Sequence, residues 1–334
     1  MQKFIQNNLY KRSFLSYLLY PLSLIYLFIV YLKRITSKPC KIGSIPVIGI
    51  GNIIAGGSGK TPFTIFLAKT LISKGKKVAI ITRGYKGSLE GKNTLVNQNH
   101  TALQVGDEAI VLFKKLKNTP LIVGKDRVKS IKIINKIFPK TDFIICDDCF
   151  QNIRFKRDFN FLTFGHNIGF GNGFLLPAGI LREHPKVLKF ADIFVINGKN
   201  KKLEKQLRKF KKPILFGTYS IKGFFDYEGK TVSTKRFLKK KNILLSAIGN
   251  PKNFENTIKK CGIDFFSHIT LYDHKKNYKK KIFKEMDYDY IFTTEKDATK
   301  MDKDWLKKMK IIVCKIEYDF KKTYVKKLLK MLIE

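Results

Sequence analysis

The chain has 334 residues, 44% of them hydrophobic, with 66 Lys+Arg against 26 Asp+Glu and a formal charge of +40. That length accommodates two ordinary domains, and the charge points to an anionic partner such as nucleic acid, a membrane surface or a phosphorylated substrate, although solvated surface lysines account for it equally well. The five cysteines, Cys40, Cys146, Cys149, Cys261 and Cys314, are odd in number and lack a disulfide-framework spacing, which excludes a disulfide-stapled scaffold and fits a reducing compartment.

In chain order, the first distinctive segment is Ser13 to Leu32, twenty uncharged residues between Lys11-Arg12 and Lys33-Arg34. Its length matches a bilayer core crossed as a helix. Tyr17, Tyr20, Tyr26, Tyr31 and Pro21 lower its apolarity, so a helix lying in the interface is the open alternative. No A-x-A-like site follows, which argues against a cleaved signal peptide.

From Pro46 onward, Val/Ile/Phe-rich runs alternate with helical patterns. Strands are predicted at Val47 to Ile50, Val78 to Thr82, Leu121 to Val123, Phe143 to Cys146, Phe159 to Phe164 and Asp192 to Ile196. Helices are predicted near Thr61 to Ser73, Asp107 to Lys117 and Asp126 to Ile137. Continuous apolar strands between helices read as a parallel, doubly wound sheet covered on both faces. The Pro- and Gly-rich stretch Lys211 to Lys241 reads as a hinge, with strand-like pieces such as Ile214 to Tyr219. A second alternation follows: strands at Asn242 to Ile248, Phe265 to Ile269, Tyr290 to Thr293 and Ile311 to Ile316, helices near Phe254 to Cys261 and Lys279 to Met286, and a terminal helix.

The first strand runs into Ile54-Ala55-Gly56-Gly57-Ser58-Gly59-Lys60-Thr61-Pro62 and then a helix. In that setting backbone N–H groups and the helix N-terminus cradle phosphate oxygens, with Lys60 reaching the terminal phosphates and Thr61 placing its hydroxyl on Mg2+. Ile54 stands where a strict G-x-x-x-x-G-K-S/T loop has glycine, so the loop is a variant. Asp147 and Asp148 end the strand Phe143 to Cys146, the edge where open α/β sheets place ligands. Either acid can bind Mg2+ directly, with the other acting through water or as a base. The two carboxylates also disfavour a thiolate in Cys146-x-x-Cys149, so redox exchange is not expected there. Gly169-x-Gly171-x-Gly173 opens no helix and reads as a loop shaping the cleft.

Several further motifs recur along the chain: Gly51-Asn52 before the loop, Thr82-Arg83-Gly84-Tyr85, Gly106-Asp107-Glu108, Asp147-Asp148-Cys149-Phe150-Gln151, Leu176-Pro177-Ala178-Gly179-Ile180-Leu181-Arg182-Glu183, Ile248-Gly249-Asn250-Pro251, Asp273-His274, and Thr293-Thr294-Glu295-Lys296-Asp297-Ala298. In order and spacing this set resembles the tetraacyldisaccharide 4'-kinases of lipid A biosynthesis over nearly the whole chain. Departures are Cys149 for the family's usual Gly, Ile180 for its Pro, and Lys275-Lys276 after the histidine. Cys149 is expected to narrow the site beside the acids.

The resemblance implies an ATP- and Mg2+-dependent kinase acting on a lipid-linked disaccharide at the cytoplasmic face of a bacterial inner membrane. It implies a nucleotide loop of Ile54 to Thr61, a metal site of Thr61, Asp147 and Asp148, and catalysis by Asp107 with His274, assisted by Asp148. Arg83, Tyr85, Arg127 and Arg182 are candidate contacts to the substrate or its phosphate, since guanidinium grips phosphate in two places. The expected division is a membrane-anchor helix over 1–35, a phosphate-loop kinase domain over 36–215, a hinge over 216–241 and a smaller α/β domain over 242–334 that completes the cleft. A monomer touching an anionic membrane is expected. Nucleic acid is not, because no reading motif accompanies the charge. A membrane-associated ATPase or GTPase switch is the competing reading, and Ile54-Ala55 lacks the further lysine such loops usually carry.

Overall fold

The structure, a computed structural model, describes residues 10–165, 168–248, 251–271, 286–299, 301 and 303–333. It opens with two helices, α1 (Phe14–Leu18) and α2 (Tyr20–Thr36). Ser13 caps α1 by accepting from Ser16 N at 3.3 Å, and Pro21 sits in the first turn of α2, where a missing N–H costs nothing. The single helix expected over 1–35 is therefore two helices meeting at Leu19. Among the described residues, no helix is long and apolar enough to cross a membrane.

The first half continues with β1 (Val47–Gly51), α3 (Lys60–Ile72), β2 (Val78–Thr82), β3 (Thr94–Leu95), α4 (Ala102–Val105), α5 (Asp107–Lys115), β4 (Leu121–Val123), α6 (Arg127–Ile137), β5 (Phe143–Cys146), β6 (Phe159–Gly165), β7 (Ile193–Asn197), α7 (Lys201–Arg208) and β8 (Ile214–Phe225). After β9 (Thr231–Val232), the second half comprises β10 (Asn242–Ser246), α8 (Pro251–Lys259), β11 (Ser267–Thr270), β12 (Tyr290–Thr294), α9 (Glu295–Ala298), α10 (Lys303–Lys308), β13 (Ile311–Phe320) and α11 (Lys322–Ile333). The helix expected near Lys279 to Met286 lies, all but its last residue, outside the described residues.

All strands among the described residues join one sheet in the order β11-β10-β12-β13-β8-β7-β6-β1-β5-β2-β4-β3, with β9 beside β8. Neighbours are parallel except at β13/β8, β3/β4 and β8/β9. The apolar runs supply both faces at period two. Ile48, Ile50, Val78 and Ile80 pack with Phe63, Leu67 and Leu71 of α3, whereas Val47, Ala79, Ile81 and Ile144 pack with Ile131 and Ile134 of α6.

The stretch expected to be a hinge begins with a strand. Gly229, at φ +82°, does mark a turn after β8, but Gly217 is no loop signal: a Cβ there would collide with the ring of Tyr318, so glycine lets an aromatic lie flat across β8. Glycine at 217 thus serves packing between β8 and β13, which run antiparallel over most of their length.

That long pairing sets the architecture of the cleft. β7 pairs with the start of β8, ending at Asn197 opposite Gly217, while β12 pairs with the start of β13, ending at Thr294 opposite Cys314. Cys314 in turn faces Phe224, near the far end of β8. Because β8 and β13 are antiparallel, the two halves are offset along this ribbon and their carboxyl edges point toward each other. Brändén's edge is therefore present twice, facing itself across the middle of the ribbon.

Gly51 ends β1 where a Cβ would sit 2.5 Å from Phe150 Cβ and 3.0 Å from its backbone N. Gly51→Ala is expected to destabilise the protein by about 1–3 kcal/mol through overpacking. Denaturant unfolding monitored by circular dichroism checks this, and a wild-type midpoint would contradict the packing described.

Candidate active site

The loop between β1 and α3 is shaped by polar side chains as much as by glycine. Asn52 Nδ2 donates to Ser58 Oγ at 2.8 Å, and Ser58 Oγ meets Thr163 Oγ1 of β6 at 2.9 Å. Asn197, at the tip of β7, donates from Nδ2 to the carbonyl of Ser58. Gly59 takes φ +81° as the N-cap of α3, a conformation that favours glycine, and a Cβ there would strike Asn197. The loop is thus held open and aimed, with the N-terminus of α3 behind Lys60 and Thr61.

The acids of the Asp147-Asp148 pair occupy different environments. Asp147 is buried, and Thr61 Oγ1 donates to its Oδ2 at 3.4 Å. Burial, reinforced by the charge of Glu108 and opposed by Lys60, raises its carboxyl from the ordinary 3.8 to about 7. Asp148 adopts a left-handed backbone, φ 48°, and its Oδ1 lies 3.6 Å from Lys60 Nζ and 3.2 Å from Arg182 Nη1. Burial pushes Asp148 up, but Lys60 and Arg182 outweigh it and hold the carboxyl below the usual range. Arg182 Nη1 also donates to Asn52 Oδ1 at 3.4 Å, tying the acid to the loop.

Arg182 belongs to a segment that the N-terminal helices hold. Ala55 N donates to Ile180 O and Arg182 N to Ile53 O, both at 2.7 Å, which fastens this segment beside the loop. On its other side, Ser23 Oγ donates to Leu175 O at 2.9 Å and Tyr26 Oη to Arg182 O at 3.0 Å. Arg34 pairs with the buried Glu183 and lies over the rings of Phe150 and Phe190. Ser16, Ser23, Tyr26 and Arg34 thus form a docked stripe at helical spacing, while Leu22, Ile25, Phe28, Ile29 and Tyr31 stay exposed.

These elements border a cleft of about 930 Å3 between the two halves. Its walls include Ala55 to Thr61, Arg83, Tyr85, Asp148 and Arg182 from the first half, and Ile248, Asn253, Thr294, Glu295 and Lys296 from the second. Tyr219 and Ile316 to Asp319 of the ribbon line it as well. Arg83 pairs with Glu90 at 2.5 Å and its guanidinium lies 5.7 Å from the Tyr85 ring centre. Asp107 is almost buried at the start of α5, with its Oδ2 3.9 Å from Lys296 Nζ.

Three expected placements differ. Arg127 is buried and donates to the carbonyls of Gly124 and Asp147, the latter at 3.4 Å, so it braces the backbone behind the acid pair and is not among the residues lining the cleft. Ile54 has its side chain in the core with Leu162 and Leu181, and serves the loop through a backbone bridge to Leu181. Cys149 is buried among Ile81 and Phe155, its thiol donating to Cys146 O at 3.1 Å, so it does not narrow the site. His274 lies outside the described residues. Asn197 and Tyr219 carried no site signal in the sequence, Arg34 stood out only as a charged flank of the uncharged segment, and Lys296 and Glu295 sat in a recognised motif with no role attached.

The sequence model described as LpxK, tetraacyldisaccharide-1-P 4'-kinase, matches residues 15–333. The chain belongs to this kinase family. The tetraacyldisaccharide 4'-kinase of Francisella tularensis subsp. novicida is 34% identical over 294 residues, covering 87% of this chain and 91% of its own. That of Rickettsia canadensis is 34% identical over 301 residues, covering 87% and 86%. The crystal structure of the "apo" form LpxK from Aquifex aeolicus in complex with ATP superposes with a TM-score of 0.75 at 25% identity, over 96% of this chain and 100% of that one. The fold is accordingly that of a family whose named activity is phosphorylation, and the cleft is where the kinase's motifs converge.

The raised Asp147 carboxyl makes a pH signature for this kinase. In the folded state it holds its proton up to about 7, whereas unfolded it loses it near 3.8. Its contribution is fully present below the unfolded value and lost as pH rises toward 7, a fall of about 4 kcal/mol at most. With nucleotide and divalent cations removed, Asp147→Asn is expected to flatten that decline. Denaturant unfolding between pH 4 and 8 measures it, and parallel curves for the two proteins would refute the assignment.

Proposed function

We propose that the chain transfers the γ-phosphate of ATP to the 4'-hydroxyl of a tetraacylated glucosamine disaccharide 1-phosphate, at the cytoplasmic face of a bacterial inner membrane. The observation that carries this reading is the convergence of Lys60, Thr61, Asp148 and Arg182 on a cleft whose opposite wall comes from the second half, with Asp147 buried behind Thr61. Phosphoryl transfer asks chiefly for positioning and for neutralisation of charge on the phosphates. The amides of Gly56 to Gly59 and the N-terminus of α3 supply donors, Lys60 supplies a cation, and Arg182 is placed for the transferred group.

The residues fit a magnesium ion. Among the described residues no three His, Cys, Asp or Glu side chains cluster as a full ligand cage. Thr61 and Asp147 do offer two converging oxygens, the hard donors magnesium prefers, and the buried Asp147 carboxyl is placed where a cation would offset its charge. Magnesium takes few protein ligands and keeps phosphate and water oxygens for the rest. Thr61 and Asp147 would hold it, with Asp148 assisting, and it would neutralise charge on the phosphates when bound.

In the transfer, the sugar oxygen forms a bond to the γ-phosphorus as the bond from that phosphorus to the bridging oxygen of ADP breaks. The hydroxyl proton passes to Asp107, which the resemblance pairs with His274 as the acid/base unit. Arg83 and Tyr85 stand on the cleft wall where the acceptor and its 1-phosphate would lie. The exposed apolar face of α1 and α2, bounded by Lys11, Arg12 and Lys33, suits a helix pair resting in the headgroup layer of an anionic leaflet. A monomer resting on that leaflet is the form proposed.

The test supplies radiolabelled ATP and the disaccharide 1-phosphate lipid in mixed micelles and looks for label on the sugar. Asp107→Ala and His274→Ala are each expected to lower kcat by about 10²–10⁴-fold with little change in ATP affinity. Lys60→Ala is expected to weaken ATP binding as well. ATP hydrolysis without labelled lipid would overturn the reading in favour of a nucleotide switch.

A further inference from the structure

Two ion pairs of opposite polarity span the cleft between α5 and α9. At the last turn of α5, Lys115 Nζ lies 2.6 Å from Glu295 Oε2. At its first turn, Glu108 Oε1 and Asp107 Oδ2 lie 3.7 and 3.9 Å from Lys296 Nζ. Consecutive residues of one half, an acid and a base, are thus met by a base and two acids of the other. The side chains of Lys115 and Lys296 are only 14% and 20% exposed, so solvent screens these pairs less than it would on the open surface.

The acceptor end of the clasp is rigidly mounted. Asp297, fully buried, accepts from Thr294 Oγ1 at 2.8 Å and from Ala247 N at 3.1 Å, pinning the start of α9 to the ends of β12 and β10. Glu295 and Lys296 therefore project from a fixed base toward α5. None of Lys115, Glu295 and Lys296 holds phosphate or moves a proton in the reaction proposed above.

We propose that these contacts form a reciprocal clasp that seats the second half's edge against α5, and that Lys296 is a positioning residue for phosphoryl transfer, acting through Asp107. Asp107 and Glu108 are adjacent acids at a nearly buried helix end, and their repulsion is relieved by one ammonium set between them. That cation fixes where the Asp107 carboxylate points and makes its placement depend on the second half being in register. The catalytic part of this inference rests on the kinase reading; the clasp does not.

The experiment has two arms. In the first, amide hydrogen exchange of the peptide containing Glu295 to Ala298 is compared in Lys115→Glu, Glu295→Lys and the double variant. Faster exchange in each single variant with recovery in the double is expected, and a double variant no more protected than the singles overturns the clasp. In the second, Lys296→Ala is expected to lower kcat about tenfold or more, as loss of a charge-assisted contact would, while leaving the KM for ATP near wild type. Lys296→Arg should restore most of the rate and Lys296→Met should not. Wild-type kcat in Lys296→Ala, or equal losses for arginine and methionine, overturns the positioning role. Absence of lipid phosphorylation by the unaltered protein would count against the kinase reading alone, and the exchange arm would still decide the clasp.

Discussion

One carboxylate oxygen, Asp148 Oδ1, is shared by Lys60 at the start of α3 and Arg182 of the segment beneath the N-terminal helices. The left-handed backbone at Asp148 turns that oxygen outward from the strand end, and Asp147 N–H and side chain stay behind it in the core. The rest of the site is arranged around this shared charge. Lysine is kept near the loop, Arg182 is kept near Asn52, and the two acids are driven to opposite protonation behaviour although they are neighbours in sequence.

The second organising fact is geometric. A parallel sheet gives one carboxyl edge, and a kinase must bring a nucleotide and an acceptor together from two sides. Here an antiparallel ribbon of β8 and β13 joins two mostly parallel halves of one sheet head to head, so both edges serve one cleft. Helix N-termini from both halves, those of α3 and α9, consequently face the same space. This explains why residues as distant in sequence as Thr61 and Glu295 line the same cleft without any loop having to reach across.

How much of this was legible in the sequence follows from how local each signal is. The strands and helices around Gly56 to Thr61 and the acids after Cys146 lie in contiguous patterns, and their positions agree to within a residue or two. Misreadings arose where a side chain's role is set by distant partners. Arg127 follows the helix-capping Asp126, yet its guanidinium is consumed by the carbonyls of Gly124 and Asp147. Gly217 punctuates the chain like a turn, yet it exists for the Tyr318 ring. The twenty uncharged residues near the N-terminus hide Ser16, Ser23 and Tyr26, whose hydrogen bonds to the segment Asn172 to Arg182 make one face a docking stripe. Asn197 and Lys296 depend on contacts that only the assembled sheet creates.

The docking of α2 has a consequence for how a greasy molecule could be handled. Only one layer of chain, residues 175–182, separates this helix from the backbone of Ile53 to Ala55. On the proposed reading, with the outward side of α2 among lipid headgroups, the loop Gly56 to Thr61 would sit one layer of chain behind the docked helix. A sugar head could then meet its phosphate donor while its hydrocarbon tails stay put, sparing the protein any need to extract them or to build an internal tunnel for them.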